Sequence, residues 1–260
     1  MRRFSLRPLL ALAAGALCST AAPAETVQVA VAANFTAPAK ALAEVLNKTT
    51  GHEAKLSFGP SGGFYTQIKN GAPFDVFLSA DDERPARLEQ EGETVPGTRL
   101  TYAIGRLVLW SAREGVVDQA CAVLKSGNFN TIAIANPKLA PYGAAAMQTL
   151  EAMGLTEAIT PKVVTGENIG QTHNFVATGN ADLGFVAKSQ VLHSGRLKGG
   201  SMCEVPGSYH APIVQDAVML RRAESNPAAK AWMALLRSPR THELLRSYGY
   251  EVKADEKAAR

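Results

Sequence analysis

The chain has 260 residues, 46% of them hydrophobic, with 27 Lys and Arg against 23 Asp and Glu and a formal net charge of +4. Three of those cations, Arg2, Arg3 and Arg7, lie in the first 24 residues with no acid among them, so the remaining 236 residues carry only +1. That near-neutral body excludes the basic footprint of a nucleic-acid binder, and it is long enough for one large domain or two lobes with separate cores.

Residues 1–24 read as an export signal. A basic head is followed by an apolar run from Leu9 to Leu17 and by Ala22-Pro23-Ala24, small residues suited to a signal peptidase. Cleavage is expected before Glu25. The run is too short to span a membrane, and Gly15-Ala16-Leu17 ahead of Cys18 is a poor lipid-attachment pattern. The mature chain is therefore expected to be soluble and outside the cytoplasm, where in an oxidising compartment the two remaining cysteines, Cys121 and Cys203, can form a disulfide or stay as buried thiols.

After the signal, Val27 to Ala33 is an apolar strand ending at Asn34, and Thr36 to Lys48 reads as a helix stopped by Gly51. A strand from Lys55 to Phe58 feeds Gly59-Pro60-Ser61-Gly62-Gly63, which opens a helix over Phe64 to Asn70. Next come a strand, Asp75 to Ser79, and a polar helix led by Asp81 to about Glu91. Arg99 to Trp110 is a long strand-like run. A helix over Val117 to Lys125 and a strand over Thr131 to Ala135 follow. The loop Asn136 to Gly143 hands over to an alanine-rich helix ending near Met153. Lys162 to Val164 is a strand, Gly166 to Gly170 a loop, Gln171 to Thr178 a helix and Ala181 to Val186 a strand. Ser201 to Val205 and Ile213 to Leu220 are strand-like, and two helices, Pro227 to Leu236 and Arg240 to Tyr248, close the chain.

Strands alternating with helices predict an α/β fold with mostly parallel sheets. Tyr102 to Leu109 and Ser208 to Val214 are suited to cross between lobes. The expected division is residues 25–104 plus 211–260 in one lobe and 105–210 in the other, with a cleft between. Ligands in such folds bind at the carboxyl ends of strands.

Four loops sit at such ends: Ala33-Asn34, Gly59-Pro60-Ser61-Gly62-Gly63, Ala140-Pro141-Tyr142-Gly143 and Gly166-Glu167-Asn168-Ile169-Gly170. They offer backbone donors, small residues and neutral polar side chains, with no Lys or Arg. Converging helix N-termini of this kind suit an ionised oxyanion held by N–H and O–H groups alone, and a donor-only pocket rejects an anion that carries a proton. Each loop taken singly also fits an ordinary capped connection. A second reading takes Gly59 to Gly63 as a serine-hydrolase elbow, with Asp182 and then His193 or His210 as partners. Ser61 falls early for such an elbow, and no His-Gly-Gly loop precedes it. Elsewhere the expectations are plainer: Glu167 and His173 solvated, Tyr248 and Tyr250 in core packing, Trp110 and Trp232 at the core or between lobes.

Longer matches add to this. Val31-Ala32-Ala33-Asn34-Phe35, Gly59 to Gly63, Asn70-Gly71-Ala72-Pro73-Phe74-Asp75-Val76-Phe77 and Ser79-Ala80-Asp81 go together with Tyr102 to Trp110 and Ala135-Asn136-Pro137. In the second half, Ala140-Pro141-Tyr142-Gly143, Ala181 to Val186 and Pro212-Ile213-Val214 join them. Across Val27 to Tyr250 the chain resembles the periplasmic molybdate-binding proteins of ABC importers, a branch of the type II periplasmic binding proteins. The resemblance implies two lobes closing on molybdate or tungstate, a membrane permease as partner, a monomer, no cofactor and no catalysis. It assigns the ligand to Asn34, Ala33, Ser61, Tyr142 and Ile169, the last two through backbone N–H groups, with the metal held only as its oxyanion. The sequence departs from relatives at Ala33, where some carry a hydroxyl residue, and at Ala187, where others place a tyrosine. A receptor for another tetrahedral oxyanion, such as sulfate, is the nearest alternative.

Overall fold

The computed structural model describes residues 24–252, so the expected signal peptide lies outside the described residues apart from Ala24. The first half of the chain forms β1 (Thr26–Ala32), α1 (Thr36–Thr50), β2 (Glu53–Gly59), α2 (Ser61–Lys69), β3 (Val76–Leu78), α3 (Glu83–Gln90) and β4 (Leu100–Gly105). Next come β5 (Leu107–Ser111), α4 (Ala122–Ser126), β6 (Ile132–Ala135), α5 (Pro141–Ala152), α6 (Thr156–Ile159), β7 (Val163–Gly166), α7 (Ile169–Ala177), β8 (Leu183–Ala187) and α8 (Lys188–Val191). A small hairpin, β9 (Leu192–His193) and β10 (Arg196–Leu197), leads to β11 (Ser201–Glu204), β12 (Ile213–Met219), α9 (Pro227–Leu236) and α10 (Pro239–Ser247).

Two five-stranded sheets result. The first has the order β2-β1-β3-β12-β4, with β1 parallel to β2 and β3, and β12 antiparallel to β3 and β4. The second has the order β11-β5-β8-β6-β7, with β6 parallel to β7 and β8, and β5 antiparallel to β8 and β11. The fold is two-lobed α/β with mixed, mostly helix-covered sheets. Each lobe has its own core. Phe35, Leu42, Leu46, Tyr102 and Trp232 anchor the first, and Leu107, Leu109, Ile134, Leu150 and Phe185 the second. No helix among the described residues is long and apolar enough to cross a membrane.

The structure changes several sequence expectations. The long strand over Arg99 to Trp110 is two strands in different sheets, broken at Arg106, whose guanidinium pairs with Glu251. The chain returns to the first sheet between Glu204 and Ile213. The helix expected from Val117 covers only Ala122–Ser126, because Cys121, just before it, adopts a left-handed φ of 55° and begins the turn late. Cys121 and Cys203 are bridged, with their Cα atoms 5.6 Å apart. The segment read as a loop up to Gly170 is already helical from Ile169, because Asn168 caps α7 by accepting from the N–H groups of Gly170 and Gln171. His173 is half-buried, not fully solvated; its ring stacks on Trp110, with centroids 5.0 Å apart and planes 4° from parallel. Burial holds its pKa below the ordinary histidine value.

Candidate functional site

The helices that start at the cleft meet their first N–H groups in different ways. Asn226 caps α9 and Ser238 caps α10 through side-chain oxygens. The residues at the same position for α2 and α5 are Pro60 and Ala140, which have no side-chain acceptor. In α7 the Asn168 cap takes two N–H groups but leaves that of Ile169. Helix starts always leave their first N–H groups without intrahelical partners. Among the described residues none accepts from the main-chain N–H of Ser61, Tyr142 or Ile169.

These starts converge. Ala33, Asn34, Ser61, Tyr142 and Ile169 all line one interlobe cleft, with Ala32, Gly59, Pro60, Ala80, Ala140, Pro141 and Asn168, drawn tightly together around about 10 Å³ of water-accessible room. No residue of that lining carries a charge. All five expected residues are buried, Asn34 and Ser61 to 2% and 1% exposure, so any polar atom left unpaired there lacks water as a partner. The structure thus brings the five together. Ala187 is buried at the end of β8 and does not line the cleft.

Ser61 shows how the site is armed. Its Oγ accepts the N–H of Ala80 at 2.9 Å, a buried contact. A hydroxyl that accepts there has its single proton to spare, and no acceptor within the described residues takes it. The serine is therefore set as a donor. No base stands beside it: His, Asp and Glu are absent from the cleft lining. Asp182 is committed elsewhere, accepting from the main-chain N–H groups of Asn130 and Thr131 at 2.8 and 3.2 Å and from Arg113 at 2.8 Å. Those backbone donors, with Arg113 beside them, hold its pKa below the usual carboxylate value. His193 packs edge-on against Tyr248, and His210 Nδ1 lies 2.7 Å from its neighbour's carbonyl. The elbow has none of its partners.

The lobes meet directly across the cleft. The N–H of Gly62 donates to Leu139 O at 2.9 Å, and Ser189 Oγ donates to Asn34 O at 2.9 Å. Gln190 Nε2 donates to Ile169 O at 2.9 Å, fixing the start of α7 from the second lobe's own side.

Behind Asn34 lies a buried polar cluster that sequence reading missed. Its Nδ2 lies 2.9 Å from both Gln215 Oε1 and the Tyr250 hydroxyl. Gln215 Nε2 reaches the Tyr142 hydroxyl at 3.0 Å, and the Tyr102 hydroxyl reaches Ser79 O at 2.8 Å. Tyr250 also lies 3.0 Å from Ser189 Oγ. Burial pushes the pKa of Tyr102, Tyr142 and Tyr250 up, so all three remain neutral hydroxyls. Tyr250 is core packing, as expected, and also a hydrogen-bonding partner of Asn34. The available signal was the pair Gln215-Asp216 inside the apolar run of β12, since buried polar groups are kept only when partnered. Asp216 answers to Arg99 and Thr101, and Gln215 to the cleft.

Known proteins agree with this architecture. Residues 27–251 match the family described as bacterial extracellular solute-binding protein. The chain is 57% identical to the molybdate-binding protein ModA of Azotobacter vinelandii over 96% of its own length and 99% of that protein's. It is 50% identical to the ModA of Rhodobacter capsulatus over 93% of both chains. The solved periplasmic molybdate-binding protein of Azotobacter vinelandii superposes with a TM-score of 0.85 at 40% identity, covering 88% of this chain and all of that one. An uncharged donor cleft between two α/β lobes, with full-length similarity of this order, places the chain in the bacterial extracellular solute-binding protein family.

Proposed function

We propose that this chain captures molybdate, and tungstate with it, in the interlobe cleft and delivers it to the membrane permease of an ABC importer. The observation that carries the reading is the convergence of unpaired N–H groups and the Ser61 hydroxyl in a cleft lined without a single charge. A doubly charged tetrahedral anion is stable away from water only if its oxygens are hydrogen-bonded, and helix starts supply such donors with favourable dipoles. The main-chain N–H groups of Asn34, Ser61, Tyr142 and Ile169 and the Ser61 hydroxyl are the assigned donors. Ala33 contributes shape only, having no side-chain donor.

The protein acts in the periplasm after removal of residues 1–24, as a monomer, without a cofactor and without breaking a bond. A ligand that touches both lobes favours the closed form, and the permease reads that form. Sulfate carries the same charge, so it is excluded by size; phosphate carries a proton at neutral pH and meets no acceptor.

Calorimetric titration of residues 25–260 with molybdate, tungstate, sulfate and phosphate tests this. Tight molybdate and tungstate binding with weak sulfate binding is expected. Sub-micromolar sulfate binding without a molybdate response would sink the reading.

A further inference from the structure

We propose that Gln215 is a positioning residue of the anion site: its carboxamide sets which end of the Asn34 carboxamide faces the ligand. This rests on the anion-binding reading above and adds to it a residue that does not line the cleft.

Start from the protons. With Asn34 Nδ2 on Gln215 Oε1 and Tyr250, Asn34 Oδ1 is buried with no donor. The Tyr102 hydroxyl has one proton but faces two acceptors, Ser79 O at 2.8 Å and Gln215 Oε1 at 3.0 Å. The Tyr142 hydroxyl accepts from Gln215 Nε2, and its own proton goes to no acceptor among the described residues. An unsatisfied acceptor, a proton shortage and a spare proton thus sit in one buried cluster.

The two ends of a carboxamide exchange by a half-turn, and the hydrogen-bond network decides between them. Turning Asn34 and Gln215 together removes the conflict. Gln215 Nε2 then donates to Asn34 Oδ1 and to the Tyr102 oxygen, which frees the Tyr102 proton for Ser79 O. The Tyr142 hydroxyl donates to Gln215 Oε1, and the Tyr250 hydroxyl donates to Asn34 Oδ1 instead of to the Asn34 main-chain oxygen 3.0 Å away, which keeps its donor in Ser189 Oγ at 2.9 Å. The group left over is Asn34 Nδ2, a donor on a residue that lines the cleft. A donor without a protein partner is what an oxyanion satisfies, whereas a carbonyl oxygen there would repel it. Gln215 enforces this choice because it is held on both sides, by Tyr102 in the first lobe and by Tyr142 in the second. The Tyr142 contact exists only when the lobes are together, so closing the cleft locks the amide in its ligand-ready sense.

The test is a double-mutant cycle read by molybdate calorimetry, with Gln215→Met, Asn34→Ala and the double variant. Gln215→Met keeps the side-chain length and removes the donors and acceptor. It is expected to weaken molybdate binding by about 10- to 100-fold, the effect of one hydrogen bond to a charged group. In the Asn34→Ala background the same change should alter affinity by less than about twofold, because Gln215 acts through Asn34. A purely structural role would give additive losses and overturn the proposal, as would Gln215→Met binding within about twofold of the natural chain. A second measurement does not depend on that variant folding. In the isotope-labelled natural chain, the side-chain amide proton pair absent from Asn34→Ala should shift on molybdate saturation; an unmoved pair overturns the proposal. A natural chain that binds no oxyanion overturns the functional reading with it, whereas tight binding indifferent to Gln215 overturns the positioning role alone.

Discussion

Gly62 tests whether the lobe contact in this structure is the binding-competent one. It lies in the first turn of α2 at a φ outside the left-handed region, so alanine fits its backbone. A Cβ added there would stand 3.1 Å from Leu139 Cα, 3.2 Å from Leu139 O and 3.2 Å from a guanidinium nitrogen of Arg84. The guanidinium can swing away. Leu139 is main chain on the opposite lobe, and relief means drawing the lobes apart by a few tenths of an ångström, which strains the Gly62 N–H to Leu139 O bond of 2.9 Å. Crowding of this kind and a weakened hydrogen bond together cost about 1–3 kcal/mol, all of it in the closed form. Since only closure is penalised, molybdate affinity of Gly62→Ala should fall about 5- to 150-fold. The ligand-free protein should lose nothing and gain up to about 1 kcal/mol, because alanine is the better helix residue. Calorimetry gives the first number and thermal melting of the ligand-free protein the second. Affinity within twofold of the natural chain would refute the argument, showing that this lobe contact plays no part in the bound state.

Ser61→Ala should weaken molybdate binding about 10- to 100-fold through loss of a donor to a charged ligand, measured by the same titration. It also orphans the Ala80 N–H, a cost present with and without ligand, so melting of the free protein should fall separately. Replacing Cys121 and Cys203 by serine opens a link between residues 82 apart, worth about 4 kcal/mol, and should lower the melting temperature by about 8–16 °C with affinity unchanged. Burial depresses the pKa of His173 in the folded chain, so the unfolded chain takes up its proton first as pH falls below 6.5, and stability drops from there downward. His173→Phe keeps the stack on Trp110 and should flatten the melting profile between about pH 7 and 5; an unchanged slope would place the titration elsewhere.

The parts legible in the sequence are those written locally. Gly59 to Gly63 and Gly166 to Gly170 mark strand-to-helix connections through small residues, although the helices begin at Ser61 and Ile169, three and two residues earlier than expected, and alternation of strands with helices announces the class. What stayed hidden depends on distant partners. Asn34 meets Gln215 across 181 residues and Tyr250 across 216, and no local pattern records such a meeting. The break at Arg106 was hidden because apolar strand residues flank it on both sides, and only the assignment to separate sheets exposes it. Gly105 carries a trace of the reason: a Cβ there would stand 2.1 Å from the Tyr142 hydroxyl, so the strand end must be bare for that tyrosine to reach Gln215. His173 misleads for the same reason, since it lies on α7 and its stacking partner, Trp110, on β5.

The missing caps also explain why an empty cleft should not close. Bringing the lobes together buries the N–H groups of Ser61, Tyr142 and Ile169, and each buried donor without an acceptor costs about 1–3 kcal/mol. Three such groups weigh against closure by several kcal/mol, which the few direct lobe contacts, such as Gly62 to Leu139 and Ser189 to Asn34, only partly offset. An oxyanion removes the whole penalty at once, because it supplies acceptors to donors from both lobes. Capping residues on α2 and α5, such as those on α9 and α10, would stabilise the helices and abolish this dependence. The same unsatisfied groups therefore choose the ligand and make the closed form conditional on it. A lysine or arginine in the cleft would bind anions more indiscriminately, and its charge would attract them whether or not the lobes had closed.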